Sequence, residues 1–114
     1  MTPAEQLRRA AETLREMAGA TNGTEWSHEW VSMEYDNDPH WMVDHEMGRA
    51  KGYQIPEVAM AHREADAAFI ALMDPTTALL LADWLDSAAY EAELVGADRF
   101  ALALAEHING RTHG

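Results

Sequence analysis

The sequence predicts an α+β fold in which one helix precedes a small antiparallel β-meander of about three strands and three helices follow it. Apolar residues recur at helical spacing before residue 18 and after residue 64, but alternate between residues 25 and 61. Turn-forming residues separate these segments. Because 114 residues suffice for one domain, we expect a single domain over residues 1–114, with the three C-terminal helices packed on one face of the sheet.

The first helix is predicted over residues 3–18. Thr2 is its N-cap, Pro3 occupies its first position, and Glu5 completes a capping box three residues after the cap. Asn22-Gly23 turns the chain after the helix, because both residue types tolerate positive φ. The apolar stripe of this helix consists of Leu7, Ala10, Leu14 and Met17.

The β-meander is predicted over residues 25–61. From Trp41 to Met47 apolar and polar residues alternate, which predicts a strand with one buried and one wetter face. Upstream, large apolar residues occur at both odd and even positions, so a regular strand would carry them on both faces. We therefore expect a bulge or bend near Trp30. Turns are predicted at residues 36–40 and 48–52, and Pro56 indicates an edge strand.

Helices are predicted over residues 64–73, 75–93 and 98–109. Asp74-Pro75 ends the first of them and begins the second, as N-cap and first helical residue. The first has Ala65, Ala68, Phe69 and Leu72 on one face, and the second is expected to turn Leu81, Trp84, Leu85 and Ala88 toward the sheet. We expect the four tryptophans to supply core volume rather than a stacking platform for a base or a sugar: Trp26, Trp30, Trp41 and Trp84.

The charge and the missing cysteine restrict the classes of function. Twenty Asp and Glu residues against eight Lys and Arg residues give a formal charge of −12, which disfavours direct binding to nucleic acid or to an anionic membrane surface. The absence of cysteine excludes disulfides, thiolate nucleophiles and Cys-ligated metal sites. No apolar stretch has the length of a membrane span and the N-terminus does not resemble a secretory signal, so a cytoplasmic location is expected.

Acidic residues are segregated along the chain. No Lys or Arg lies between Arg15 and Arg49, or between Arg63 and Arg99. The carboxylates in these spans predict an acidic surface for a protein partner, and the alternative is an acidic bias of the source organism. The candidate partner-binding residues are Glu25, Glu29, Glu34, Asp36, Asp38, Asp44, Glu46, Asp83, Asp86 and Glu93.

The candidate metal ligands are His28, His40 and His45, together with nearby carboxylates. Strand parity argues against a site within one strand, because same-face ligands stand two residues apart, although His28 and His45 could meet across neighbouring strands. No phosphate-binding loop, nucleophile elbow or His-Glu-x-x-His motif is present. We therefore expect no catalytic residue and no cofactor, and the alternative is a metal-dependent hydrolase that uses these histidines.

Several helical segments share a pattern: LRRAAE at residues 7–12, EADAAFIA at residues 64–71, Asp74-Pro75, LADWL at residues 81–85, and ALA with ING at residues 103–105 and 108–110. In these segments the chain resembles a group of small uncharacterised proteins from actinobacteria and their phages. It resembles the Ead/Ea22-like phage proteins more loosely. The resemblance implies a phage or prophage setting and assigns no catalytic residue.

We interpret the chain as a non-enzymatic phage or prophage accessory protein that binds a host or phage protein. A specific form of this hypothesis is an acidic inhibitor, of anti-defence or DNA-mimic type, whose carboxylates occupy the basic groove of a nucleic-acid-binding host protein. A structural virion or scaffold component is a further alternative, and the chain is also a candidate for homo-oligomerisation.

Overall fold

The computed structural model describes residues 1–31, 39–47 and 58–113. The observed order of elements confirms the predicted α+β fold class, with each predicted helix boundary within three residues of the observed one. Only Pro39 and His40 of the predicted turn at residues 36–40 are described, and His40 is already the first residue of a strand. The predicted turn at residues 48–52 and the edge residue Pro56 lie outside the described residues. The elements are α1 (Pro3–Ala20), β1 (Trp26–Val31), β2 (His40–His45), β3 (Ala59–Ala61), α2 (Glu64–Leu72), α3 (Pro75–Val95) and α4 (Arg99–Thr112).

The chain divides into two compact units. The helical unit consists of Met1–Ala20 and Ala78–Gly114, and the sheet unit consists of Thr21–Thr77. The single domain expected over residues 1–114 stays a prediction.

Side-chain caps begin α1 and α3 where the sequence predicts. In the predicted capping box, Thr2 Oγ1 accepts a hydrogen bond from the Glu5 N–H at 3.1 Å and donates one to Glu5 Oε1 at 3.0 Å. Asp74 Oδ1 accepts from the Thr77 N–H at 2.9 Å, which confirms Asp74 as the N-cap of α3. The bonds from the Glu5 and Thr77 N–H groups each satisfy a main-chain donor that the first helical turn leaves without a partner.

The core of the helical unit is built mainly from alanine. Leu7 of α1 and Leu85 of α3 are its largest fully buried side chains. Alanine at the other positions lets α1, α3 and α4 approach closely, and Asn109 of α4 donates hydrogen bonds to the main-chain carbonyl and the side-chain oxygen of Gln6. The buried alanines are Ala4, Ala10, Ala11, Ala82, Ala88, Ala89, Ala101 and Ala105.

The position of Trp84 corrects a prediction. The inner face of α3 is centred on Ala82, Leu85 and Ala89, all fully buried, whereas the Trp84 side chain is 44% exposed. Adjacent helical residues point about 100° apart, so the shift from Leu85 to Trp84 turns the indole outward. Trp30 is likewise exposed, and the expectation that every tryptophan fills the core is wrong.

The sheet unit contains an antiparallel sheet in the order β1-β2-β3. Val43 packs against Ala67 and Ala71 of α2, so α2 covers this face of the sheet. The other two C-terminal helices, α3 and α4, share their core with α1. The pairing of β1 with β2 continues regularly through Trp30 opposite Trp41. No bulge is needed there because Trp30 is exposed instead of filling a second core face.

The face of β2 that the sequence predicts as wetter is buried. Asp44 is only 1% exposed, and Met42 and His40 on the same side of the strand are buried as well. The alternation predicts a strand with one solvated face, but β2 is the central strand of the described sheet and both of its faces are covered.

Within the described ranges, no single helix has both the length and the apolar character needed to cross a membrane. The bent pair of α2 and α3 passes the same length and composition criteria only when the two helices are taken together.

Candidate functional site

Three predicted partner-binding carboxylates of the helical unit are engaged in ion pairs. Arg15 of α1 contacts Asp83 at 2.9 Å and Asp86 at 2.6 Å, while Arg8 pairs with Glu93. The Arg8 hydrogen bond lowers the pKa of Glu93, and hydrogen bonds to Asp83 and then Asp86 raise the pKa of Arg15. The span between Arg63 and Arg99 therefore contains no Lys or Arg in sequence, but arginines of α1 lie beside its carboxylates in the folded protein.

Two carboxylates that the sequence places on the acidic surface, both in the sheet unit, have structural roles instead. Asp44 is buried, and its Oδ1 accepts a hydrogen bond from the His45 N–H at 2.8 Å, so its place on an acidic surface is wrong. Glu46 holds the turn between α1 and β1, where it accepts bonds of 3.0 Å from the N–H groups of Thr24 and Glu25. Its pKa falls from 4.5 to about 2, because the carboxylate accepts hydrogen bonds from its own main-chain N–H, from Glu25 and from Thr24.

Replacing Glu46 with Gln is expected to remove a pH-dependent part of the stability. The folded-state pKa of Glu46 lies below the unfolded value of 4.5, so its stabilisation is complete above pH 4.5 and is lost as the pH falls to about 2. The variant should melt below the wild type at neutral pH, and the difference in Tm should close over that interval. Glu12→Gln, at an exposed position of α1, is the control. A Tm difference that is unchanged at pH 2 would contradict this role.

The remaining acidic candidates are few among the residues that the structure describes. Glu25 and Glu29 are exposed on the sheet unit. Glu34, Asp36 and Asp38 lie outside the described ranges. The sequence of the sheet unit nevertheless contains eleven Asp and Glu residues against three Lys and Arg residues over residues 21–77. The acidic excess therefore belongs chiefly to this unit.

The three histidines named as metal ligands do not converge. His28 lies opposite Val43, and His45 lies opposite Trp26 on the same sheet face, while His40 lies on the other face. The His28 ring instead packs 5.8 Å from the Trp41 ring, centroid to centroid. In residues 1–31, 39–47 and 58–113, no three His, Asp or Glu side chains form a group suited to a metal ion.

An open groove in the sheet unit lies beside β3 and α2 and has a volume of about 600 Å³. Ala67 and Ala71 occupy the inner face of α2, so Phe69 lies on the outer side, 66% exposed. The sequence pattern groups Phe69 with Ala65, Ala68 and Leu72 on one face and does not indicate that the ring is exposed. The signal for the inner face is the pair of small residues four positions apart, at 67 and 71. We call this feature the Phe69 groove, and it is lined by Met60, Ala61, His62, Arg63, Asp66, Phe69 and Ile70.

The Phe69 groove combines apolar surface with one charge of each sign. Met60, Phe69 and Ile70 offer apolar contact, and Met60 is also largely exposed. The Arg63 guanidinium can donate hydrogen bonds to carbonyl or carboxylate oxygens, and the Asp66 carboxylate can receive a cation. This set of groups is suited to binding a peptide segment.

Comparison with known proteins gives no match for this chain among family models, curated proteins or solved structures.

Proposed function

We propose that this chain is a non-enzymatic accessory protein that acts by binding a partner protein, and that the Phe69 groove receives the partner. The exposed Phe69 ring beside Met60 and Ile70 is the observation that carries this proposal. Burying a phenylalanine side chain contributes about 1.5–3 kcal/mol, so a segment that covers this ring gains affinity.

The charge of the sheet unit supports a cationic partner segment. Its eleven acidic residues against three basic ones attract Lys- or Arg-rich chains, and Asp66 provides a carboxylate in the groove itself. Arg63 is suited to the main-chain carbonyl oxygens of the same segment. The partner segment is therefore one apolar side chain flanked by basic residues.

This form of binding differs from imitation of a nucleic-acid backbone. Imitation requires several solvent-exposed carboxylates in an array, but Asp83, Asp86 and Glu93 are paired with arginines and Asp44 is buried. Electrostatic attraction in our proposal steers the encounter, and apolar contact in the groove supplies affinity. A phage or prophage setting, which the resemblance implies, makes the partner a host or phage protein.

Fluorescence anisotropy with short labelled peptides tests the proposal. We expect saturable binding of Lys-Lys-Phe-Lys-Lys, with at least about tenfold weaker binding when its Phe is replaced by Ala, because the apolar contact is lost. Glu-Glu-Phe-Glu-Glu should bind more weakly still, because the unit is acidic. Phe69→Ala should weaken binding of the first peptide by a similar factor.

Phe100→Ala is the matched control, because Phe100 is 65% exposed but belongs to the helical unit. The proposal is wrong if the peptides with Phe and Ala bind equally, or if both protein variants lose binding to the same extent. Either result would leave only a non-specific attraction between basic peptides and an acidic protein.

A further inference from the structure

A second exposed apolar surface lies on α3, within the helical unit. Leu80 and Leu94 are each 66% exposed, and Trp84 is also exposed. With Ser87 and Glu91 between them, these residues follow one another at alternating intervals of four and three, so they form one line along the helix. We call this line the outer stripe of α3.

The charge at the border of the outer stripe is partly neutralised. Three carboxylates flank it: Asp83 and Asp86 share Arg15, and Glu93 pairs with Arg8, so two of the three negative charges are compensated. Glu91 is the carboxylate that stands within the stripe itself. A cationic occupant consequently finds less charge here than the sequence of α3 suggests, and an occupant with the same apolar pattern fits better.

The outer stripe is nearly symmetric about Ser87. Leu80 and Leu94 each lie seven residues from Ser87, while Trp84 and Glu91 lie three and four residues from it on opposite sides. A second α3 that runs antiparallel across a two-fold axis near Ser87 would place Leu80 beside Leu94 of the second copy. It would also place Trp84 beside Glu91 of that copy, where the indole N–H is a donor and the carboxylate an acceptor.

We propose that a second copy of this chain occupies the outer stripe of α3 through this antiparallel α3–α3 contact. The small Ser87 side chain at the axis permits close approach of the two helices. Covering the stripe and its exposed neighbours Leu79, Tyr90 and Val95 on both copies removes on the order of 1,000 Å² from water, which reaches the size of a specific interface. The proposal is independent of the Phe69 groove.

Single-cysteine cross-linking tests both the contact and its direction, because the wild-type chain contains no cysteine. On mild oxidation, Ser87→Cys should form a disulfide-linked dimer at least about tenfold faster than Ala103→Cys, an exposed position on α4. A mixture of Leu80→Cys and Leu94→Cys chains should cross-link to each other faster than either variant cross-links to itself. Equal rates for Ser87→Cys and Ala103→Cys, or preferential self-linking of Leu80→Cys, would overturn the proposal.

Sedimentation equilibrium provides a second readout without a cross-link. The wild type should have twice the 12.7 kDa mass of the chain at about 100 μM, and Trp84→Glu should have the mass of one chain while keeping the wild-type circular dichroism. Added salt should strengthen the dimer, because it screens the repulsion between two chains of charge −12. A wild type that remains monomeric at this concentration would overturn the proposal.

Discussion

Replacing Leu85 with Ala is expected to lower the free energy of unfolding by about 2–5 kcal/mol, a large part of the stability of a small domain. Leu85 is fully buried in the core that α3 shares with α1 and α4. Its neighbours there are mostly alanines, whose short side chains cannot extend into the space that the substitution leaves. Urea denaturation followed by circular dichroism measures the loss.

Trp84→Ala is the matched control for this prediction. Trp84 adjoins Leu85 in sequence but is 44% exposed, so its removal should cost about 1 kcal/mol or less when measured on dilute protein. The sequence pattern alone predicts the opposite, because it assigns Trp84 to the core. Equal losses for the two variants would place the indole in the core and would contradict the outer stripe of α3.

Gly23→Ala is expected to destabilise the protein by about 2–4 kcal/mol. Gly23 has a φ of +67°, which is costly for residues with a Cβ atom. A Cβ built there would also lie 2.5 Å from the Cβ of His45 and 2.9 Å from Oε2 of Glu46. Backbone strain and steric overlap therefore add, at the turn where Glu46 receives its hydrogen bonds. Thermal denaturation measures the effect.

Gly110→Ala is the control, because it replaces a glycine at a position where an added Cβ atom causes no steric overlap. Gly110 lies in α4, and a Cβ atom there would meet nothing within 4 Å. Alanine favours a helix more than glycine does, so this variant should gain about 0.5–1 kcal/mol. If Gly23→Ala were as stable as the wild type, the close approach of Gly23 to His45 would be contradicted.

Local signals in the sequence explain which parts of the fold could be predicted. Thr2 and Asp74 are recognisable as N-caps because each bonds a main-chain N–H three residues away. The rotation of α3 is harder to predict, since alanine occurs so often that small residues do not distinguish the inner face from its borders. Trp84 and Leu85 differ by one position, and helical spacing alone does not decide which of them faces the core.

The candidate site depends on long-range contacts that a linear pattern does not contain. Arg15 and Asp83 are 68 residues apart in sequence, so a count of charges along the chain leaves Asp83 unpaired. The Phe69 groove likewise requires β3 and α2 to come together. The sequence-based hypothesis therefore assigns partner binding to unpaired carboxylates, whereas the proposals from the structure rest on exposed apolar side chains.

The two phenylalanines of the chain, Phe69 and Phe100, provide the most direct test that the Phe69 groove binds an apolar side chain in a cationic segment. Protein labelled with 4-fluorophenylalanine should give two ¹⁹F resonances, which a Phe100→Leu variant assigns. Addition of Lys-Lys-Phe-Lys-Lys should shift the Phe69 resonance to saturation and leave the Phe100 resonance unchanged, and the peptide with Ala should have little effect. Two unchanged resonances, or equal shifts of both, would contradict the proposed function.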